Sequence, residues 1–417
     1  MGLGLKVVVV GGGVIGQCSA LELAKRGHEV TICDANLEAG CSYGNGGIIV
    51  PSHFIPIASP EMVKAGIRMM TNPKSPFGFG GFPSPSTIGW AARFLSQATQ
   101  EHVHQTASLI RDLNLASREL YKSLAEEMGN SFGLGQRGLL MICRTERGLD
   151  GERHVAAQGR DLGLAVQELS WDGLRELEPK SDLMAVGGVH FKDDAHLTPA
   201  QFMAALTNRL SELKVRFVKE NVNHGKIAGE RLVSISTDSQ TIEADEFVFA
   251  TGAWTQKWAK KFDLNLPMVS GRGYGFTLPR EELDLSHPAI LVEARIAVTP
   301  MLDGTRFVGC LELGQPTTRP LAPRLKGMMD AIPAYYPQVK RSRLSELEVW
   351  TGHRPCTPDG LPYIGRSKRL NGVVWAAGHA MMGMSLGPIT GSLVSQIIDK
   401  QAPEIPMSRL SPDRYVY

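Results

Sequence analysis

The run Lys6-Val7-Val8-Val9-Val10-Gly11-Gly12-Gly13-Val14-Ile15-Gly16 decides the fold. Val7 to Val10 is short, wholly apolar and β-branched, as expected of a strand buried on both faces of a parallel sheet. The glycines that follow place G-x-G-x-x-G at Gly11, Gly13 and Gly16. From Val14 to Lys25 the apolar spacing turns helical, with Ile15, Ala20, Leu21, Leu23 and Ala24 on one broad face, and Gly27 stops the helix. A second apolar strand, Val30 to Cys33, ends on Asp34, which is followed by Ala35. This is the order of a dinucleotide-binding βαβ unit. Gly11 permits the tight turn, Gly13 lets the backbone approach a pyrophosphate, and Gly16 lets the helix pack closely on the strand. The N-terminus of the helix, at Val14 and Ile15, offers unpaired N–H groups and a positive dipole to the phosphates. Asp34 is placed to accept from the adenosine ribose hydroxyls, and an acid there disfavours a 2′-phosphate, so NADP is not expected. The motif leaves NAD and FAD undistinguished.

The rest of the chain sets bounds on that reading. Its 417 residues are enough for two domains with large cores. With 43% hydrophobic and 21% charged residues and a formal net charge of +2, it reads as globular and gives no reason to expect a nucleic-acid partner. Six cysteines without a CxxC pair suit neither a disulfide scaffold nor a zinc site, so no metal is expected and the thiols fit a reducing compartment. No run of eighteen apolar residues suggests a membrane span. Lys6 ahead of Val7 to Val10 looks superficially like a signal peptide, but the glycine turn and polar helix pattern fit a folded unit better, and secretion is not expected.

Ser42-Tyr43-Gly44-Asn45-Gly46-Gly47-Ile48 is a glycine-rich loop able to bring backbone N–H groups against a flat ring or a phosphate. Residues 62–100 contain Lys64, Arg68, Lys74 and Arg93 but no Asp or Glu, and they interleave Phe77, Phe79, Phe82, Trp90 and Phe94 with Pro73, Pro76, Pro83 and Pro85. That composition fits a helix pair packed over an active site, or contact with an anionic membrane surface. Thr198-Pro199 reads as a hydroxyl cap and first-turn proline of a helix. Apolar runs after it, ending in Ala250-Thr251-Gly252-Ala253-Trp254, read as the later half of the nucleotide domain. The expected fold is therefore α/β. A Rossmann-like domain is made from 1–52, 190–260 and 352–417, and a discontinuous α+β domain on a mainly antiparallel sheet from 53–189 and 261–351.

Two C-terminal segments carry the sharpest signal: Gly352-His353-Arg354-Pro355-Cys356-Thr357-Pro358-Asp359-Gly360, and Gly378-His379-Ala380-Met381-Met382-Gly383-Met384-Ser385-Leu386-Gly387-Pro388, which opens a final helix. With these, nearly the whole chain resembles the FAD-dependent D-amino-acid dehydrogenases. More broadly it resembles the superfamily of D-amino-acid oxidase, glycine oxidase and sarcosine oxidase. The resemblance implies FAD held by Gly11, Gly13, Val14, Ile15, Gly16, Asp34, Ala35 and Ser42, with Asn45, Gly46, Gly47 and Ile48 along the ring and ribityl chain. It adds Val222 at the adenine, the Ala250, Thr251, Gly252 and Trp254 turn, and amides from Met382, Gly383, Met384, Ser385 and Leu386 facing the pyrimidine end of the flavin. Arg354 matches the arginine that fixes the substrate carboxylate, for which a planar guanidinium is the apt group. Tyr274 matches a substrate-contacting tyrosine. His53 and His196 are loop histidines within reach of such a pocket, but lone histidines are more often structural or solvated, and neither is taken as a site residue. Thr351 and Gly352 stand where sarcosine oxidases carry a flavin-linking cysteine, so the FAD is expected to be non-covalent. Glycine oxidase has a second arginine just after the Gly-His pair, where this sequence has Met381 and Met382, an apolar replacement that suits a larger, less polar substrate than glycine. The implied reaction is oxidation of a D-amino acid to a 2-oxo acid and ammonia, with electrons passed to a quinone or other respiratory carrier. The expected location is cytoplasmic, peripheral to the inner membrane through residues 60–100. The alternatives are an oxygen-using amine or imino-acid oxidase and a non-catalytic flavoprotein subunit. No dedicated base is evident.

Overall fold

A computed structural model describes residues 4–38, 40–80, 84–314 and 321–415. Lys6–Val10 is the central strand of the first sheet. Val7 and Val9 enter the core under the helices, while Val8 and Val10 enter a second core on the opposite face. Alternation along the strand therefore explains the unbroken apolar run: both faces are covered. The sheet runs Arg216–Val218, Glu29–Cys33, Lys6–Val10, Glu246–Phe249, Leu370–Ala377, Arg231–Ser236, His224–Ala228, and only the last of these pairings is antiparallel. Helices Val14–Lys25, Gln100–Glu127, Pro199–Glu212 and Gly387–Ile398 contribute to the first core. The first and last of these cross closely at Gly391, where a Cβ would come within 2.5 Å of the Cys18 carbonyl oxygen. Thr198 stands before Pro199 as expected, but its hydroxyl caps no helical amide; it accepts from Leu302 N–H at 2.9 Å and ties the helix to the second sheet's loop.

That second sheet is mainly antiparallel, in the order Trp350–Cys356, Val269–Leu278, Gly304–Gly314, Ile296–Met301, Ala289–Leu291, Leu139–Cys143, Gly187–Phe191, Val166–Ser170. The expected divisions at 190 and 352 fall inside Gly187–Phe191 and Trp350–Cys356, both members of this sheet. A division that keeps each sheet whole moves to the ends of those strands. A short ribbon, Ile48–Ile49 against Ala195–His196, stands apart from both sheets.

The basic and aromatic segment forms helices Pro60–Met70 and Pro85–Gln97, each capped by the serine before its proline. Phe82 and Pro83 lie outside the described residues. Trp90 is buried, stacks on Phe94 and donates to the Cys356 carbonyl at 2.9 Å, so this helix is seated on the second sheet's edge. Helix Pro60–Met70 buries none of its residues. Among the described residues no helix is long and apolar enough to cross a membrane.

Candidate functional site

A cavity of about 1940 Å³ extends from the Gly11–Asp34 turn to Arg354. Drug-sized ligands fill roughly 300–1,000 Å³, so this space suits a dinucleotide together with a small substrate. At the first end, Gly11 takes φ +108° and a Cβ there would meet the Ala250 carbonyl oxygen at 2.4 Å. The two strand ends thus close to form the crevice floor. Gly16 packs on the Gly11 carbonyl, as its expected role requires, and lies behind the cavity wall. Gly13 is open: the nearest atom to a Cβ there is Ser42 Oγ at 3.3 Å. The Val14 amide donates to Ser42 Oγ at 3.0 Å, and the Gly13 and Ile15 amides donate to no acceptor among the described residues. Asp34 accepts from the Gly12 and Asn36 amides at 2.7 and 2.8 Å, which holds its carboxylate at the cavity wall beside Ala35. Val222, Ala250, Thr251, Gly252 and the half-exposed Trp254 complete this end.

The glycine-rich loop reaches farther in. Asn45, Gly46 and Ile48 line the cavity, while Gly47 (φ +67°) is turned against the Leu197 carbonyl behind it. Gly44 makes room for Trp350, whose ring would sit 2.1 Å from a Cβ. Arg306 secures the loop by donating to the Tyr43 carbonyl at 2.9 Å. Cys41 ties it to the arginine strand, its Sγ accepting from His353 N–H at 2.8 Å. Sequence reading missed the roles of Arg306, Trp350 and Cys41, because Arg306 and Trp350 come from distant strands and Cys41, next to the loop, finds its partner on one.

At the final turn, the Gly383 and Met384 amides border the cavity and donate to no acceptor among the described residues. Three expected contributors differ. The Met382 and Leu386 amides are taken by the His379 and Met382 carbonyls, and Ser385 is buried, its Oγ bridging the Val50 amide and Asn114. Ser385 and Leu386 therefore shape the turn from behind, and Met382 meets the cavity without a spare amide.

Arg354 lies at the other end of the cavity, on Trp350–Cys356. The room for its guanidinium comes from Gly273 on the neighbouring strand, where a Cβ would lie 2.2 Å from Arg354 Nη1. Next to Gly273 the pairing of Val269–Leu278 with Gly304–Gly314 slips between Arg272 and Tyr274. In this β-bulge Cys310 adopts φ +64°, and its carbonyl accepts from Arg354 Nη1 at 2.6 Å. Bulges re-aim groups in this way beside binding sites. Arg354 Nε and Nη2 make no hydrogen bond among the described residues, and Arg354 has no carboxylate partner there. Burial pulls its pKa below the ordinary value, with the Cys356, Cys41 and Cys310 thiols opposing.

Tyr274 does not join it. The ring is wholly buried in the second core, its hydroxyl donates to Glu312 and accepts from Leu321 N–H at 3.0 Å, and it is not in the cavity wall. The expected substrate contact is corrected accordingly: neighbours on a strand face opposite ways, so Gly273 facing Arg354 turns Tyr274 to the core. His196 also lies off the cavity, whereas His53 lines it.

The amides without acceptors at both ends, the Gly13 opening and the cavity's extent fit a dinucleotide such as FAD. Comparison with known proteins agrees. The family model described as FAD dependent oxidoreductase matches residues 6–397. The chain is 28% identical to a D-amino-acid oxidase of Bradyrhizobium diazoefficiens over 99% of each chain. It is also 28% identical to a D-amino acid dehydrogenase of Vibrio atlanticus, over 99% of this chain and 100% of that one. Its fold matches the crystal structure of glycine oxidase from Geobacillus kaustophilus with a TM-score of 0.78, at 22% identity, over 99% of this chain and 100% of the other.

Proposed function

The chain belongs to the DAO family of FAD-dependent oxidoreductases, and we propose that it oxidises a D-amino acid to the imino acid, which water hydrolyses to a 2-oxo acid and ammonia. FAD, when bound, supplies the two-electron acceptor for the hydrogen on Cα. Thr351 and Gly352 offer no linking thiol at the family's cysteine position, so non-covalent binding belongs to the proposal.

The observation that carries this reading is Arg354. Arg354 is half-buried with no carboxylate partner among the described residues, and Nε and Nη2 present the paired donors that an arriving carboxylate accepts. Holding the substrate there fixes its Cα relative to the ring site between the glycine-rich loop and the final turn. Such positioning supplies much of the rate in a transfer of this kind. The names of the two relatives support the D-configured substrate. We propose further that the electrons pass to a quinone or other respiratory carrier, with the protein on the cytoplasmic face of the inner membrane. Helix Pro60–Met70, which carries Lys64 and Arg68 and buries no residue, supports that placement. An oxygen-using oxidase is the second reading, favoured by the name of the Bradyrhizobium relative.

The test compares an amino acid with the amine that lacks its carboxylate. The wild type is expected to reduce its flavin far faster with the amino acid, and Arg354→Ala to lose about 10²–10³-fold in kcat/KM for it, as truncating one side of a buried charged pair does. Equal rates for both compounds, or an Arg354→Ala enzyme with full activity, would overturn the assignment.

A further inference from the structure

An amino acid enters as an ammonium, and its nitrogen must be neutral before Cα gives up a hydride. Arg354 and Tyr274 offer nothing for that proton. A chain of three groups at the cavity does. The ribbon Ile48–Ile49 against Ala195–His196 brings Ser52 and His53 beside Asp194. Ser52 N–H donates to Asp194 Oδ1 at 3.0 Å, Ser52 Oγ–H donates to Oδ2 at 2.5 Å, and Oγ lies 3.0 Å from His53 Nδ1. Asp194 is 1% exposed. His53 lines the cavity, and its Nε2 has no hydrogen-bond partner among the described residues.

The direction of these bonds is fixed by who can donate. With Asp194 ionised, the Ser52 hydrogen points to the carboxylate. His53 Nδ1 must then carry a hydrogen and donate to Ser52 Oγ, which leaves Nε2 as a bare acceptor. With Asp194 protonated at Oδ2, the two bonds through Ser52 Oγ reverse, the Ser52 N–H bond to Oδ1 stays as it is, and Nε2 carries the hydrogen.

We propose that His53, Ser52 and Asp194 form a proton relay that takes one proton from the substrate ammonium nitrogen. This rests on the amino-acid reading above. The substrate N–H bond breaks as His53 Nε2–H forms; Nδ1–H passes to Ser52 Oγ, and the Ser52 hydrogen passes to Asp194. One proton moves from nitrogen to carboxylate, with no change of oxidation state. The relay solves a problem of base strength. Burial pulls His53 down to about 4, too weak alone to compete for an ammonium proton near neutrality. Burial pushes Asp194 up to about 8 against the two Ser52 hydrogen bonds, with Asp193 adding to the rise and Arg118 opposing it. Arg118, on helix Gln100–Glu127, is itself tied to Asp193 at 2.9 Å, so Asp194 is not neutralised by it. The relay thus gives the cavity a base matched to the working pH.

Two measurements on the oxidised and substrate-reduced holoenzyme test this. In ¹⁵N-histidine-labelled enzyme without substrate, NMR should show one histidine changing tautomer with a midpoint near pH 8, and the change should vanish in Asp194→Asn and in Ser52→Ala. In anaerobic stopped-flow, the wild-type rate of flavin reduction should rise about tenfold per pH unit below that midpoint. Asp194→Asn should be slower by about 10²-fold at pH 9 and lack that rise. Asn is nearly isosteric with Asp, and Ser52→Ala breaks the chain without touching Asp194, so loss of fold in one variant leaves the other decisive. No tautomer change in the wild type, or a wild-type pH profile in both variants, overturns the relay. A wild-type flavin that no amine reduces overturns the amino-acid reading instead, and the tautomer change separates the two failures.

Discussion

At Arg354 the useful side chain depends on two neighbours that contribute none of their own chemistry. Gly273 supplies space and Cys310 supplies a carbonyl turned by its left-handed backbone. Gly273→Ala places a methyl group 2.2 Å from the guanidinium. It should therefore raise KM and slow flavin reduction at least tenfold while leaving FAD content unchanged. Cys310→Gly relieves a conformation that costs a residue with a Cβ about 1–2 kcal/mol, so its Tm should hold or rise. Cys310→Val puts a β-branched side chain into that conformation and should lower both Tm and substrate capture. Arg354 was legible from its local motif. Gly273 and Cys310 were not, because they meet it only through strand pairing, and Tyr274 was misread because the sequence does not tell which face of its strand turns to the core.

Among elements, helix Pro60–Met70 is the least committed to the core. Ile67 is 64% exposed, and Met70, together with Ile88 and Leu95 of the following helix, is also at least half exposed. The same two helices line the cavity, not only with Met62, Val63, Ala91 and Phe94 but also with Ile67, Met70 and Leu95 themselves, so their exposed apolar side chains border the site and Ile88 alone of the four stands off it. If these helices meet an anionic membrane, the enzyme should co-sediment with vesicles containing acidic lipid and release as salt rises. At ~1 kcal/mol for each basic residue near the surface, Lys64→Ala with Arg68→Ala should weaken binding by roughly thirtyfold. Indifference to lipid charge would contradict the proposed membrane contact. The composition of this segment pointed to a helix pair, while its start signals, Ser59-Pro60 and Ser84-Pro85, went unread. Sequence reading misjudged Thr198, whose hydroxyl is claimed by a loop a hundred residues away.

Over the whole molecule, the βαβ unit was readable because strand, turn, helix and acid lie within one short stretch, whereas the second sheet joins strands from residue 77 to residue 356 and its order has no local signature. The buried Asp194 belongs to this scale because its charge taxes the fold. Its folded pKa, near 8, stands above the unfolded value of about 3.9, so folding favours the protonated form. That contribution is complete below the unfolded value and is lost as pH rises toward 8. Asp194→Asn should consequently gain stability over the wild type between about pH 4 and 8 and hold the gain above it. Thermal unfolding with saturating FAD across that range reads the difference, and a difference independent of pH would contradict the burial argument.

The proposed reaction oxidises a D-amino acid in this cavity and hands its electrons to something other than oxygen. The most direct measurement is the absorbance of bound flavin under strict anaerobiosis, first with matched D- and L-amino acids and then after air is admitted. The expected result is bleaching by the D-enantiomers and slow recovery in air, hastened by a soluble quinone. Bleaching by the L-enantiomers alone, or by no amino acid, would contradict it, and prompt recovery in air would transfer the enzyme to the oxidases.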